Sequence, residues 1–197
     1  MRYDAEHKQK TRERVLTEAA KAMRAEGPHK IAVAGVMAKA GLTHGGFYAH
    51  FPSREAFVAE TIGQMFAEGR AQQVRRMADL PPREALSAYL EFYLSTAHRD
   101  ATTSGCPLPF LSADAPRLEG EARARYAAGV AGLAGALAAQ FRKQGRAEPD
   151  TDGYSMLAEM VGALALARAE PDRARSDAIL AHSRQSLSRR FDLELKS

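Results

Sequence analysis

The stretch Ala40-Gly41-Leu42-Thr43-His44-Gly45-Gly46-Phe47-Tyr48-Ala49-His50-Phe51-Pro52-Ser53-Arg54-Glu55-Ala56-Phe57 decides the fold, because its residues meet the needs of two short helices joined by a tight turn. Gly41 permits the turn, and Leu42 plugs the gap between the helices. Thr43 is suited to capping the second helix, whose N-terminal amides then face outward toward a phosphate or a base edge. Phe47 and Phe51, four residues apart, face inward and hold that helix in place. Tyr48 and His50 point outward, suited to hydrogen bonds with a nucleic-acid backbone, and Arg54 adds a charged contact. Pro52-Ser53 ends the helix. Ser53 caps a longer one that carries Glu55 in its first turn and runs to about Met77 through Phe57, Ile62, Met65 and Phe66.

Working outward toward the N-terminus, Val15, Leu16, Ala19, Ala20 and Met23 recur at helical spacing from about His7 to Glu26, and Gly27-Pro28 stops the pattern. A short apolar stretch, Val33 to Ala40, follows. Residues 1–54 hold 10 Lys/Arg against 5 Asp/Glu, and residues 55–197 hold 18 against 19, so the net charge of +4 originates entirely in the first quarter. Four of the six histidines, His7, His29, His44 and His50, also lie there. Charge alone fits either a solvated basic face or a surface that meets phosphate.

Toward the C-terminus, a helix is expected from about Pro82 to His98 with Leu86, Tyr89, Leu90 and Tyr93 on one side, then a Gly/Pro-broken stretch from Asp100 to Pro116. A long Ala/Gly-rich helix, about Arg117 to Gly145, suggests close helix packing. Pro149 and Pro171 bracket a helix that is apolar on nearly every side and therefore needs burial on more than one face. The last helix, about Asp172 to Leu193, could form a four-helix interface with its neighbour and a second copy. No strand, repeat or low-complexity tract is evident. With 197 residues, 45% of them hydrophobic, the chain suits one or two domains. The absence of a long apolar run or secretory leader, and the presence of one cysteine, Cys106, point to a reducing, cytoplasmic setting without an internal disulfide.

These motifs resemble the TetR family of regulators. Its signature is an Ala-Gly-hydrophobic-Ser/Thr turn, then Gly-x-hydrophobic-Tyr-x-His/Tyr-Phe, then a basic-acidic pair at the next helix; the likeness covers residues about 8 to 60. Arg12-x-x-Val15-Leu16-x-x-Ala19, ending in Gly27, looks like the family's first helix, with Lys10, Thr11 and Arg12 where that helix approaches phosphate. The resemblance implies an all-α fold: a three-helix helix-turn-helix domain, residues 1–54, followed by a helical effector-binding and dimerisation domain, residues 55–197, with about nine helices in all. It implies a dimeric repressor of double-stranded operator DNA, paired through its last two helices and released by a small molecule. The expected DNA contacts are Lys10, Thr11, Arg12, Thr43, His44, Gly45, Gly46, Tyr48, His50 and Arg54. Two departures weaken the second helix: Ala32 stands where a Ser or Thr cap is usual, and Gly35 lies inside it, costing roughly 1 kcal/mol relative to alanine. Because Gly45 and Gly46 remove two side chains, His44 is left as the main base contact, and readout is expected to lean on DNA shape.

The segment Thr103-Ser104-Gly105-Cys106-Pro107-Leu108 carries a second, narrower resemblance, running to about Ala139, to an electrophile-responsive, NemR-like subgroup in which a Gly-Cys pair serves as sensor. Pro107 at the first helical position would put Cys106 at the cap, where a helix end favours thiolate, with His98 and Arg99 as nearby cations. The alternative is a small buried residue beneath a cavity. Phe92, Tyr93, Phe110, Tyr126, Met156 and Met160 are candidate effector-pocket or core residues, and Arg168 meets an anion, snorkels to solvent or pairs with Glu159 or Glu170. No metal site, cofactor or phosphate-cradling loop is expected. Competing readings are an effector-independent DNA-binding regulator and a thiol enzyme with Cys106 as nucleophile and His98 or His182 as base.

Overall fold

Helix boundaries fall where local chemistry places them in the computed structural model, which describes residues 2–195, with side chains from Glu6 onward. Nine α-helices are present among these residues: α1 (Arg2–Glu26), α2 (Val33–Lys39), α3 (Arg54–Met77), α4 (Pro82–Tyr93), α5 (Thr96–Asp100), α6 (Leu108–Leu111), α7 (Gly120–Lys143), α8 (Pro149–Ala169) and α9 (Arg173–Phe191). Two 3₁₀ helices, His44–Ala49 and Ala115–Arg117, complete the set, and no strand occurs among the described residues. The Ser53 hydroxyl accepts from the Ala56 amide at 3.1 Å to start α3, and the Asp172 carboxylate accepts from the Arg175 amide at 2.8 Å to start α9. Both helices begin where the sequence predicts.

Two expectations are corrected. The helix expected over 82–98 is two, because Leu94 leaves helical geometry and the Ser95 hydroxyl accepts from the His98 amide, capping α5. The helix expected after Thr43 is a single 3₁₀ segment, since two consecutive glycines lower helix propensity, and Thr43 makes no side-chain cap bond. The Gly/Pro-broken stretch contains α6 and the second 3₁₀ helix.

The chain packs as two units. The first holds residues 1–68 and 102–129. Its 43–57 end is organised by Phe47, Phe51 and Phe57, all buried, with ring centroids 4.9 to 5.4 Å apart. Val15, Ala19 and Met23 of α1 and Val36 and Met37 of α2 are buried too. Gly129 of α7 lies directly under the Phe66 ring, where a methyl group would overlap it.

The second unit holds residues 69–101 and 130–197. Here α8 packs on α9, α4 and α5. Close approach of α8 to α7 depends on Gly153, where an added Cβ would lie 2.8 Å from the Ala134 carbonyl oxygen and 2.9 Å from the Ala138 amide nitrogen. This is the small-residue packing that the Ala/Gly content of α7 predicts. Met156, Leu157, Met160, Leu164 and Ala167 are buried along α8.

Candidate nucleic-acid interface and effector region

The recognition segment expected from the sequence, residues 43–51, separates into an inner and an outer face. Phe47 and Phe51 are buried, while Thr43, His44, Gly45 and Tyr48 are exposed, Tyr48 by 71%. Gly46 is half-buried. A Cβ at Gly45 would meet nothing within 4 Å, and its φ is negative, so neither space nor backbone conformation requires glycine there. Lys10 is exposed and pairs only loosely with Glu6 at 3.6 Å.

Other expected contacts are committed to the protein itself. Arg12 binds the Glu60 carboxylate, donates to the His50 carbonyl at 3.4 Å and lies 5.1 Å from the Phe51 ring centre. It bridges α1, α3 and the recognition segment. Thr11 is buried. His50 is half-buried, with Nδ1 buried and without a hydrogen-bond partner among the described residues; burial, helped by Lys8 and Arg12, pushes its pKa below the ordinary histidine value. Arg54 is exposed and donates to the His29 carbonyl at 3.1 Å, linking the start of α3 to the α1–α2 turn.

The residues expected at the effector end divide between the units. In the first, Cys106 is 5% exposed, and Tyr126 meets the Ser112 hydroxyl at 3.0 Å and the Phe66 ring edge-on. Phe110 is half-buried. Pro107, not Cys106, caps α6: its carbonyl accepts from the Leu111 amide at 3.0 Å, which leaves Cys106 before the cap, two residues ahead of a four-residue helix. The helix-end argument for a thiolate loses its geometry accordingly.

In the second unit Phe92 stacks on His98 at 5.0 Å and Tyr93 meets the same ring edge-on at 4.9 Å. His98 is not a cation at neutral pH: burial depresses its pKa to about 4, against the opposing pull of the Tyr93 carbonyl 2.8 Å from Nδ1. Arg99, also expected to support a thiolate, is buried and bound to Asp100, Ser176 and Asp177. Arg168 is bound to backbone carbonyls. It donates to the carbonyls of His98, Arg99 and Ala101 at 2.9 to 3.2 Å, closing the end of α5, while Glu159 binds Arg190 and Glu170 binds Arg175. Met156 and Met160 are fully buried on α8.

A cleft of about 540 Å³ in the first unit is lined by Pro28, His29, Arg54, Val58, Leu118 and Ala122 among others, none of them nominated from sequence for the effector. No cluster of three or more His, Cys, Asp or Glu suited to a metal occurs among the described residues, and no helix there is long and apolar enough to cross a membrane.

Two family models match this chain: the one described as bacterial regulatory proteins, tetR family, over residues 15–61, and the tetracyclin repressor-like C-terminal domain over residues 82–187. The chain belongs to the TetR family. It is therefore a DNA-binding transcriptional regulator and not an enzyme, and the thiol-enzyme alternative falls with that assignment. No curated protein matches the sequence. Among solved structures, a TetR transcriptional regulator from Chloroflexus aurantiacus is similar at 24% identity and TM-score 0.81, over 95% of this chain and 96% of that one. The reduced form of E. coli NemR is similar at 21% identity and TM-score 0.79, over 91% and 97%. A TetR-family regulator from Agrobacterium tumefaciens is similar at 23% and 0.76, over 91% and 98%. At these identities the likeness is one of TetR fold.

One TetR-chain residue that sequence reasoning passed over is Arg24. It lies on the stripe Leu16, Ala20, Arg24 at four-residue spacing and is 5% exposed. A charge on an apolar stripe is the signal that marks it.

Proposed function

We propose that the protein is a homodimeric, cytoplasmic TetR-type repressor, with residues 1–54 reading a near-palindromic operator and residues 55–197 binding an effector and pairing the subunits. The observation that carries this reading is the split recognition segment: three buried phenylalanines anchor it, and Tyr48, His44 and Thr43 stand exposed on its other side. Lys10, Thr43, His44 and Tyr48 are the direct contacts. Arg12, Thr11 and Arg54 set the register of the elements that carry them, and His50 sits at the edge with a buried ring nitrogen. Gly45 and Gly46 allow close approach to DNA, which accounts for a glycine at a position where the free protein has room for a side chain. A Gly45→Val variant should keep its thermal stability and bind operator at least tenfold more weakly; unchanged affinity would remove the glycines from the interface.

The dimer reading is supported by Tyr154, Ala158, Gly162 and Leu166, which form an exposed apolar row along α8 at four-residue spacing, with Leu166 63% exposed. Such a row suits an antiparallel contact with its own copy. Two recognition segments about one DNA turn apart, roughly 34–36 Å, then address the two half-sites. Sedimentation of the wild type as a dimer, and of Leu166→Asp as a monomer, is the expected result.

Release follows from an effector that binds the DNA-free state more tightly, with a coupling of roughly 1–3 kcal/mol. The effector is a small molecule or an electrophile. Burial of Cys106 supports a packing role, while its place after Gly105 supports the NemR-like sensor role. Anisotropy of operator DNA with N-ethylmaleimide separates the two: loss of binding by wild type but not by Cys106→Ser establishes sensing, and unaffected binding assigns Cys106 to packing.

A further inference from the structure

Arg24 is a charged residue buried at the end of an otherwise apolar stripe, and its contacts join three separate pieces of the first unit. From the last turn of α1, its Nη2 donates to the Glu68 carboxylate of α3 at 2.8 Å and to the Gly105 carbonyl at 3.2 Å. Its Nε is buried with no hydrogen-bond partner among the described residues. Burying a guanidinium is costly unless its donors are satisfied, so an incompletely paired one is weak evidence of a stabilising role. Gly105 has φ +90, in the region that favours glycine, and directly precedes the buried Cys106. Beyond α6, Asp114 also lies near the end of α1: a Cβ on Gly27 would be 3.5 Å from its carboxylate.

We infer that Arg24 is the positioning residue that couples the DNA-contacting helix α1 to the Gly105–Cys106 loop, so that seating of α1 and closure of the loop form one equilibrium. The inference rests on the reading of α1 as a DNA-contacting helix. When the loop opens, the guanidinium loses the Gly105 carbonyl and is left with one partner, Glu68, which holds it on α3. The end of α1 then loses its tie to the segment that follows residue 102. Reciprocity requires the converse: DNA that selects the seated α1 must also favour the closed loop. Linkage of this kind gives a chemical change near Cys106 a direct route to the DNA-binding surface.

As the chain's single cysteine, Cys106 reports on the loop without any added probe site. The test is the rate of N-ethylmaleimide addition to full-length protein, followed by mass spectrometry, with and without a DNA duplex selected by the protein from random sequence. Wild type should label slowly, and saturating duplex should slow it at least threefold further. Arg24→Met should label about fivefold or more faster and lose the DNA effect. Because that change leaves the Glu68 carboxylate without its ion-pair partner and with only the Gln64 amide at 3.2 Å, the double variant Arg24→Met/Glu68→Gln is run beside it, with thermal unfolding to establish that it folds. Loss of the DNA effect in a folded, DNA-binding double variant supports the coupling, since a packing role would leave that effect intact. Equal DNA protection in wild type and double variant, or none in a wild type that binds the duplex, overturns it. Failure of the wild type to select or bind any duplex overturns the DNA-binding reading itself, and the coupling with it.

Discussion

The recognition segment and the corner formed by α5, α8 and α9 are held by opposite means. Around the recognition segment local propensity is poor: α2 has no side-chain cap at Ala32 and a glycine at position 35, and the element after Thr43 is a single 3₁₀ segment. Three phenylalanine rings supply the hold. At the α5–α8–α9 corner charged and polar side chains supply the hold. Arg168 closes three carbonyls, Arg99 joins Ser176 and Asp177, and Arg173 clasps Asp100 through two bonds of 2.9 and 3.0 Å, holding that carboxyl well below its usual range. A segment anchored from beneath and weakly specified along its backbone can adjust to a duplex. A corner tied by charged and polar contacts is fixed in geometry.

Truncation of the aromatic anchor should have the largest effect. Phe51→Ala removes a fully buried ring and should cost about 3–5 kcal/mol in urea unfolding. A cost near zero would mean that the rings do not hold the recognition end.

Acid should act on the other region. The folded pKa of His98, about 4, lies below its unfolded value near 6.5, so its contribution to stability is complete above pH 6.5 and is lost as pH falls through 4. The shift corresponds to about 3 kcal/mol. Wild type should therefore lose more stability between pH 6.5 and 4 than His98→Gln. Parallel pH profiles would show that the ring is not buried neutral.

Addition of one methyl group at Gly153 should be felt next. Its Cβ meets backbone of α7, which cannot step aside as a flexible side chain would, and the expected cost is about 1–3 kcal/mol by thermal unfolding. Gly35→Ala, by contrast, finds only an ordinary contact with Ala32 at 3.9 Å and should stabilise by about 0.5–1 kcal/mol. The same methyl group thus carries opposite signs in α2 and at the α7–α8 contact. Equal signs would erase the contrast.

What the sequence reveals follows the range of the forces involved. The starts of α3, α8 and α9 were legible because Ser53, Pro149 and Asp172 act within one turn. The inward phase of Phe47 and Phe51 was legible from spacing. The partners of Arg12, Arg24 and Arg168 were not, because each guanidinium binds groups that lie 38 to 81 residues away along the chain. The neutrality of His98 was hidden for a related reason: its spacing placed it near the end of a helix, but the burial that depresses its pKa is set by the tertiary fold.

The most direct test of the DNA-binding account is fluorescence anisotropy with the duplex immediately upstream of the gene, comparing wild type with Tyr48→Ala. The account predicts tight, salt-sensitive binding by wild type and at least tenfold weaker binding by a Tyr48→Ala protein of unchanged thermal stability. Equal affinity of the two for that duplex would contradict it, because the exposed face of the recognition segment would then not be the surface that meets DNA.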